Sequence, residues 1–136
     1  MRLRLLFLGL VMAACGCGGS RTVPVSGQVK LDGQPLADAH VTFRPGSKEL
    51  YPGPASYGKT DAEGRFVLRT VDGHDGAVVG PHKVRISVPV KVQGASPDAP
   101  SANKLPAKYS GENTVLTFTV PQGGTKEANF LDLRSK

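Results

Sequence analysis

Tryptophan is absent from these 136 residues, and aromatic side chains make up only 6%. A sugar-binding groove of stacked indoles is therefore excluded. Tyr51, Tyr57 and Tyr109 remain as the aromatic groups with a polar edge. Cysteine occurs twice, at Cys15 and Cys17, so the rest of the chain carries no disulfide framework. A bridge between these two, with one intervening residue, is geometrically strained. A Cys-x-Cys metal site needs further ligands close by, and the nearest histidine is His40. Long apolar runs are also missing. The longest, Leu5 to Ala14, is half the roughly twenty residues a helix needs to cross ~30 Å of hydrocarbon. No five like charges stand in a row. The basic residues Lys30, Arg44, Lys59, Arg65, Lys83, Lys91, Lys108 and Lys126 are dispersed, which gives no nucleic-acid footprint. The serine-nucleophile elbow G-x-S-x-G is absent as well.

What is present at the start is specific. Arg2 and Arg4 precede the apolar run, which ends in Met12-Ala13-Ala14-Cys15-Gly16-Cys17. A basic start, a short apolar stretch and small residues read as an export signal. Small residues running directly into cysteine resemble the bacterial lipobox. That resemblance implies cleavage before a cysteine whose thiol carries diacylglycerol. Cys15 is the expected site, with Cys17 as the alternative. The expected organisation is a signal peptide over 1–14, a lipidated tether over 15–22 and one domain over 23–136. Each buried CH₂ contributes about 0.8 kcal/mol, so two or more acyl chains anchor a protein durably without a spanning helix. Of the formal charge of +6, Arg2 and Arg4 supply two, leaving the remainder near +4.

The remaining sequence reads as short strands punctuated by 17 glycines and 11 prolines. From Val23 to Leu31, Val23, Val25, Val29 and Leu31 alternate with polar residues, which gives one buried and one wet face. Asp32-Gly33 is a hairpin signal. Ala39–Arg44 points Val41 and Phe43 inward. A short strand over Ser56–Thr60 is followed by the turn Asp61-Ala62-Glu63-Gly64, then by Arg65–Val71 with Phe66 and Leu68 inward. Lys83–Pro89 points Val84, Ile86 and Val88 inward; Val115–Val120 points Leu116, Phe118 and Val120 inward. Lys126–Leu133 is the last strand, and its register is ambiguous because Phe130, Leu131 and Leu133 cannot share one face. Residues 91–113 are the longest irregular stretch. About seven strands and no helix beyond two turns predict an all-β sandwich.

Several segments together resemble a carboxypeptidase-regulatory-like, transthyretin-like domain of the kind carried singly by small bacterial lipoproteins. They are Val25 to Pro45 (VSGQVKLDGQPLADAHVTFRP), Thr60-Asp-Ala-Glu-Gly-Arg-Phe66, Gly80-Pro-His-Lys-Val-Arg-Ile-Ser87, Leu105-Pro-Ala-Lys-Tyr109 and Asn129-Phe-Leu-Asp-Leu133. The resemblance spans about residues 23–133. It implies a transthyretin-like or Ig-like sandwich and a non-catalytic module, and fold alone does not assign an activity.

The candidate chemistry is sparse. Asp72, His74 and Asp75 share one glycine-flanked loop, and Asp61, Glu63 and Gly64 superficially resemble part of a calcium loop. Neither set has the spacing of a metal or acid–base site. Lys30 and Asn129 fall on strands suited to an isopeptide cross-link, but alternation turns Lys30 to solvent. Tyr51, Tyr57 and Tyr109 form the possible ligand face. The expectation is a membrane-anchored envelope lipoprotein, at the outer membrane or periplasmic face. It has no enzymatic activity, metal or cofactor, and its partners are the membrane and an envelope protein or glycan. The alternative is an accessory domain of a hydrolytic or metal-dependent enzyme system that uses the long loops.

Overall fold

The computed structural model describes residues 21–46, 53–90, 94, 102–103 and 105–136. In chain order the strands are β1 Thr22–Val23, β2 Ser26–Leu31, β3 Gln34–Pro35, β4 His40–Pro45, β5 Ser56–Lys59, β6 Arg65–Val67 and β7 Arg69–Thr70. They continue as β8 Ala77–Val78, β9 Gly80–Ser87, β10 Pro89–Val90, β11 Ala102–Asn103, β12 Thr117–Val120 and β13 Phe130–Leu133. A single helical turn, α1, covers Ala107–Ser110. Seven of these strands have three residues or more, and the fold is an all-β sandwich.

The larger sheet has the order β12-β9-β4-β5-β7, with every neighbouring pair antiparallel. The smaller sheet is centred on β2. One flank of β2 carries β3 and β6, and the other carries β13 in parallel. The segment Arg65–Thr70 belongs to both layers. Its β6 half pairs with β2, and its β7 half pairs with β5. The strand breaks at Leu68, whose side chain is fully buried in the core.

Period-two alternation accounts for the core. Val29, Val41, Phe43, Leu68, Val84 and Ile86 have no exposed surface, and Phe66 is 2% exposed. Phe43 is the hub. Its ring centroid lies 5.6 Å from His82 and 5.7 Å from Phe118 in its own layer, and 6.4 Å from Phe66 and 6.1 Å from Phe130 in the facing layer. Tilted and edge-on rings at these distances are the arrangements aromatic quadrupoles favour.

Three expectations change. The strand read as Val23–Leu31 is interrupted at Pro24, which lacks an N–H for a continuous ladder, so Val23 pairs with Ala77 and Val25 makes an isolated bridge to Thr125. Leu116 and Phe118 are only half-buried, because β12 is the edge of its sheet. The ambiguity at the last strand resolves through an irregularity between Phe130 and Leu133. It buries both of these and leaves Leu131 at the surface.

The turns follow from backbone chemistry. Asp32 and Gly33 both have positive φ, at 51° and 80°, as a type I′ hairpin turn requires. Thr60 is buried beneath the next turn. Its hydroxyl donates to the Leu36 carbonyl at 2.6 Å and accepts from the Ala39 N–H at 2.8 Å. Asp61 Oδ1 accepts from the N–H groups of Glu63 and Arg65. At Gly64 φ is +76°, and a Cβ there would stand 2.4 Å from the Val29 carbonyl oxygen. The Thr60–Phe66 signature is therefore a turn anchored to the core.

Among the described residues, His82 is the one buried histidine, at 2% exposure. Its Nε2 lies 2.7 Å from the Val78 carbonyl and must donate to it. Nδ1 then has no hydrogen-bond partner among the described residues. Burial disfavours the imidazolium and lowers the pKa below its ordinary 6.5, against a smaller upward effect of the Val78 hydrogen bond. The unfolded chain protonates at its normal pKa while the folded chain resists. Stability is thus full above about pH 6.5 and falls as the pH drops from there toward the lower folded-state pKa.

Two predictions follow from this core. Phe43→Ala should cost about 3–5 kcal/mol in urea unfolding, and Phe66→Ala a similar amount, whereas half-exposed Phe118→Ala should cost less. The urea midpoint of the wild type should fall between pH 7.5 and pH 5. A His82→Gln variant should lose much of that dependence, and an unchanged slope would separate His82 from it.

Candidate functional site

Alternation along β5 turns Ser56 into the core and Tyr57 out. Cross-strand register places Thr42 of β4 on one side of Tyr57 and Arg69 of β7 on the other. The sheet-crossing segment buries Phe66 and Leu68 and so turns Val67 outward, and Val71 emerges just after β7. Tyr57, Val67 and Val71 are 53%, 68% and 62% exposed. With His40, Thr42, Ala55, Gly58, Lys59 and Arg69 they line an open groove of about 650 Å³ on the outer face of the larger sheet. A concave surface carrying exposed apolar side chains and a few polar groups is the usual form of a binding site.

The rim is cationic but locally balanced. Lys59 Nζ lies 3.2 Å from Asp38, and Arg69 Nε lies 3.4 Å from Asp75. Arg69 also donates to the Gly73 carbonyl at 2.9 Å. Exposed pairs of this kind contribute little to stability; they hold the long side chains beside the groove.

Of the two tyrosines among the described residues, the structure places Tyr57 on this surface. Tyr109 sits in α1 and is 7% exposed. Its hydroxyl accepts from the Arg134 N–H at 3.2 Å, so it fastens the segment after β13 to the helical turn and presents no ligand face. Tyr51, Cys15 and Cys17 lie outside the described residues.

The loop Asp72–Asp75 does bring a histidine to a carboxylate, with His74 Nδ1 3.1 Å from Asp72 Oδ1. Both side chains are more than half exposed, and Asp75 turns away to Arg69. A hydrogen bond from the Thr70 hydroxyl, and then the contact with His74, hold the Asp72 carboxyl below its ordinary range. The Thr70 hydroxyl also accepts from the His74 N–H at 2.9 Å, so this network closes the loop. Asp61 is likewise committed to its own turn. Among the described residues no three His, Cys, Asp or Glu groups converge as metal ligands. Asn129 Oδ1 accepts from the Gln28 N–H at 3.0 Å and holds β13 against β2.

Two features escape the sequence reading. His82 carries a local signal, since inward alternation at Val84 and Ile86 extends back to it. A cationic cluster has a weaker one. Arg44 pairs across the sheet with Lys83, and Thr42 with Arg85. Glu112, from the irregular stretch, reaches Arg44 Nη1 at 2.6 Å and Arg85 Nη1 at 2.8 Å. Arg85 also donates through Nε and Nη2 to the Ser110 carbonyl at 3.1 and 3.0 Å. Strand alternation shows that Arg44 and Arg85 face outward, but only the register shows that they meet.

No family model, no curated protein and no solved structure matches this chain.

Proposed function

We propose that this protein is a lipid-anchored module of the cell envelope, attached through Cys15 or, alternatively, Cys17. Its β-sandwich serves as a non-enzymatic binding domain of the carboxypeptidase-regulatory-like, transthyretin-like kind, at the outer membrane or periplasmic face. The observation that carries the binding role is the groove of Tyr57, Val67 and Val71, three exposed side chains, two on strands and the third just past β7. The anchor rests on Arg2, Arg4, the apolar run and the small residues before Cys15. A phenol ring between valines, with Lys59, Arg69 and Thr42 alongside, suits the apolar face of a sugar or a short peptide from an envelope partner.

Labelling cells with a fatty-acid analogue tests the anchor. Label should persist in Cys17→Ser and vanish in Cys15→Ser; the reverse moves the site to Cys17, and no label in the wild type removes the anchor. For the groove, Tyr57→Ala should change stability by no more than about 0.5 kcal/mol, as exposed substitutions do. It should nevertheless weaken retention on immobilised envelope glycans or peptides about thirtyfold, the loss of an aromatic hot spot worth ~2 kcal/mol. Retention that is indifferent to Tyr57→Ala and Val67→Ser moves the binding role off this face.

A further inference from the structure

The cationic cluster stands where the chain enters the domain. The Val79 N–H donates to the Arg21 carbonyl at 3.1 Å, and β9 begins at the next residue, Gly80. Lys83 is the fourth residue of β9, and Arg44 faces it across the sheet. The Gly46 N–H, just past β4, donates to the Pro81 carbonyl at 2.9 Å, so the C-terminal end of β4 is fastened to the same end. The hairpin at Asp32-Gly33 and the far ends of β5 and β9 lie at the opposite pole of the sandwich. Covalent geometry limits the six residues Cys15–Ser20 to a reach of about 20 Å. A lipidated Cys15 therefore keeps Arg21, and with it this pole, close to the bilayer surface.

Charge distinguishes the Arg44–Lys83 edge from the tyrosine groove. Lys59 and Arg69 each have a carboxylate of their own. Arg44 and Arg85 share one, Glu112, and Lys83 has no ion pair among the described residues. Three cations and one acid line a depression of about 330 Å³ together with Pro45, Gly46 and Thr114. We propose that Arg44 and Lys83, with Arg21 at the base of the tether, dock this pole on the anionic phospholipid headgroups of the bilayer that holds the acyl chains. The proposal rests on the lipid-anchor reading. It adds an orientation: the domain lies against its membrane through the Arg44–Lys83 edge, with the Asp32-Gly33 pole outward. A Lys or Arg at an anionic surface changes partitioning about fivefold, and salt screens the effect.

The test uses the processed, acylated protein, with incorporated fatty acid confirming the anchor independently. The cysteine that is not acylated is replaced by serine. Thr119→Cys, beside Pro81 on the outer face, carries a fluorophore; Gln34→Cys carries it at the opposite pole. Each protein is reconstituted into vesicles of phosphatidylcholine alone or with phosphatidylglycerol, both containing a headgroup-level quencher. The expected result is stronger quenching at Thr119 than at Gln34 in the anionic vesicles. That contrast should fall severalfold in Arg44→Gln/Lys83→Gln or at high salt, and rise in Glu112→Gln. Equal quenching at the two poles, or a contrast indifferent to lipid charge or to the double substitution, overturns the proposal. Equal melting temperatures verify that the outward-facing variants are folded. If no fatty acid is incorporated, the anchor reading fails separately. Cosedimentation of the unacylated chain then decides the docking. Pelleting that needs both phosphatidylglycerol and Arg44/Lys83 supports it, and none, or binding only to a soluble acidic polysaccharide, overturns it.

Discussion

The sandwich depends on the contact between layers at Phe43. A chain with few aromatics has concentrated them. Phe43 meets Phe118 and His82 from its own sheet and Phe66 and Phe130 from the other, and Phe118 meets Phe130 at 6.2 Å. The valines and leucines around these rings fill the remaining space between strands whose alternation turns them inward. Removing one ring leaves a space that its neighbours, fixed to two different ladders, close only partly. Burying a histidine among these rings makes the same contact the pH-sensitive part of the fold.

Most of the fold was legible because its strands have one wet face. Val41 and Phe43 in β4, Phe66 and Leu68 across the layers, and Val84 and Ile86 in β9 all announce themselves by period two. Asp32-Gly33 and Asp61–Gly64 announce the turns between them. The illegible parts belong to tertiary structure. Nothing local marks Leu68 as the point where a strand leaves one sheet for the other. Nothing local says that Phe130 and Leu133 are both buried, because that depends on the shifted pairing of β13 with β2. Tyr109, in the irregular stretch 91–113, reads as part of a possible ligand face; it is buried because a single helical turn folds back onto β9 and the segment after β13.

The surface divides by how its charges are paired. Around Tyr57 each cation has a neighbouring acid, so the groove presents apolar surface within a nearly neutral rim. At the Arg44 edge the acids run short, with Glu112 shared between Arg44 and Arg85. Outward alternation identifies both sets as solvent-facing, yet it cannot separate them. The partner carboxylates come from loops, namely Asp38, Asp75 and Glu112, and their positions follow from the fold alone.

The parallel pairing of β13 with β2 bears on how the chain comes to be folded. Ser26 exchanges backbone hydrogen bonds with Thr125 and Ala128, about a hundred residues downstream, and Gly27 has no side chain because the Ala128 carbonyl would stand 2.0 Å from its Cβ. The central strand of the smaller sheet thus has one flank empty until the residues near 130 arrive. Contacts of such long range are slow to close. A polypeptide synthesised N-terminus first holds β2 without that partner until the residues near 130 have emerged. The topology makes completion of the sandwich a late step, reached only once β13 is free to pair with β2.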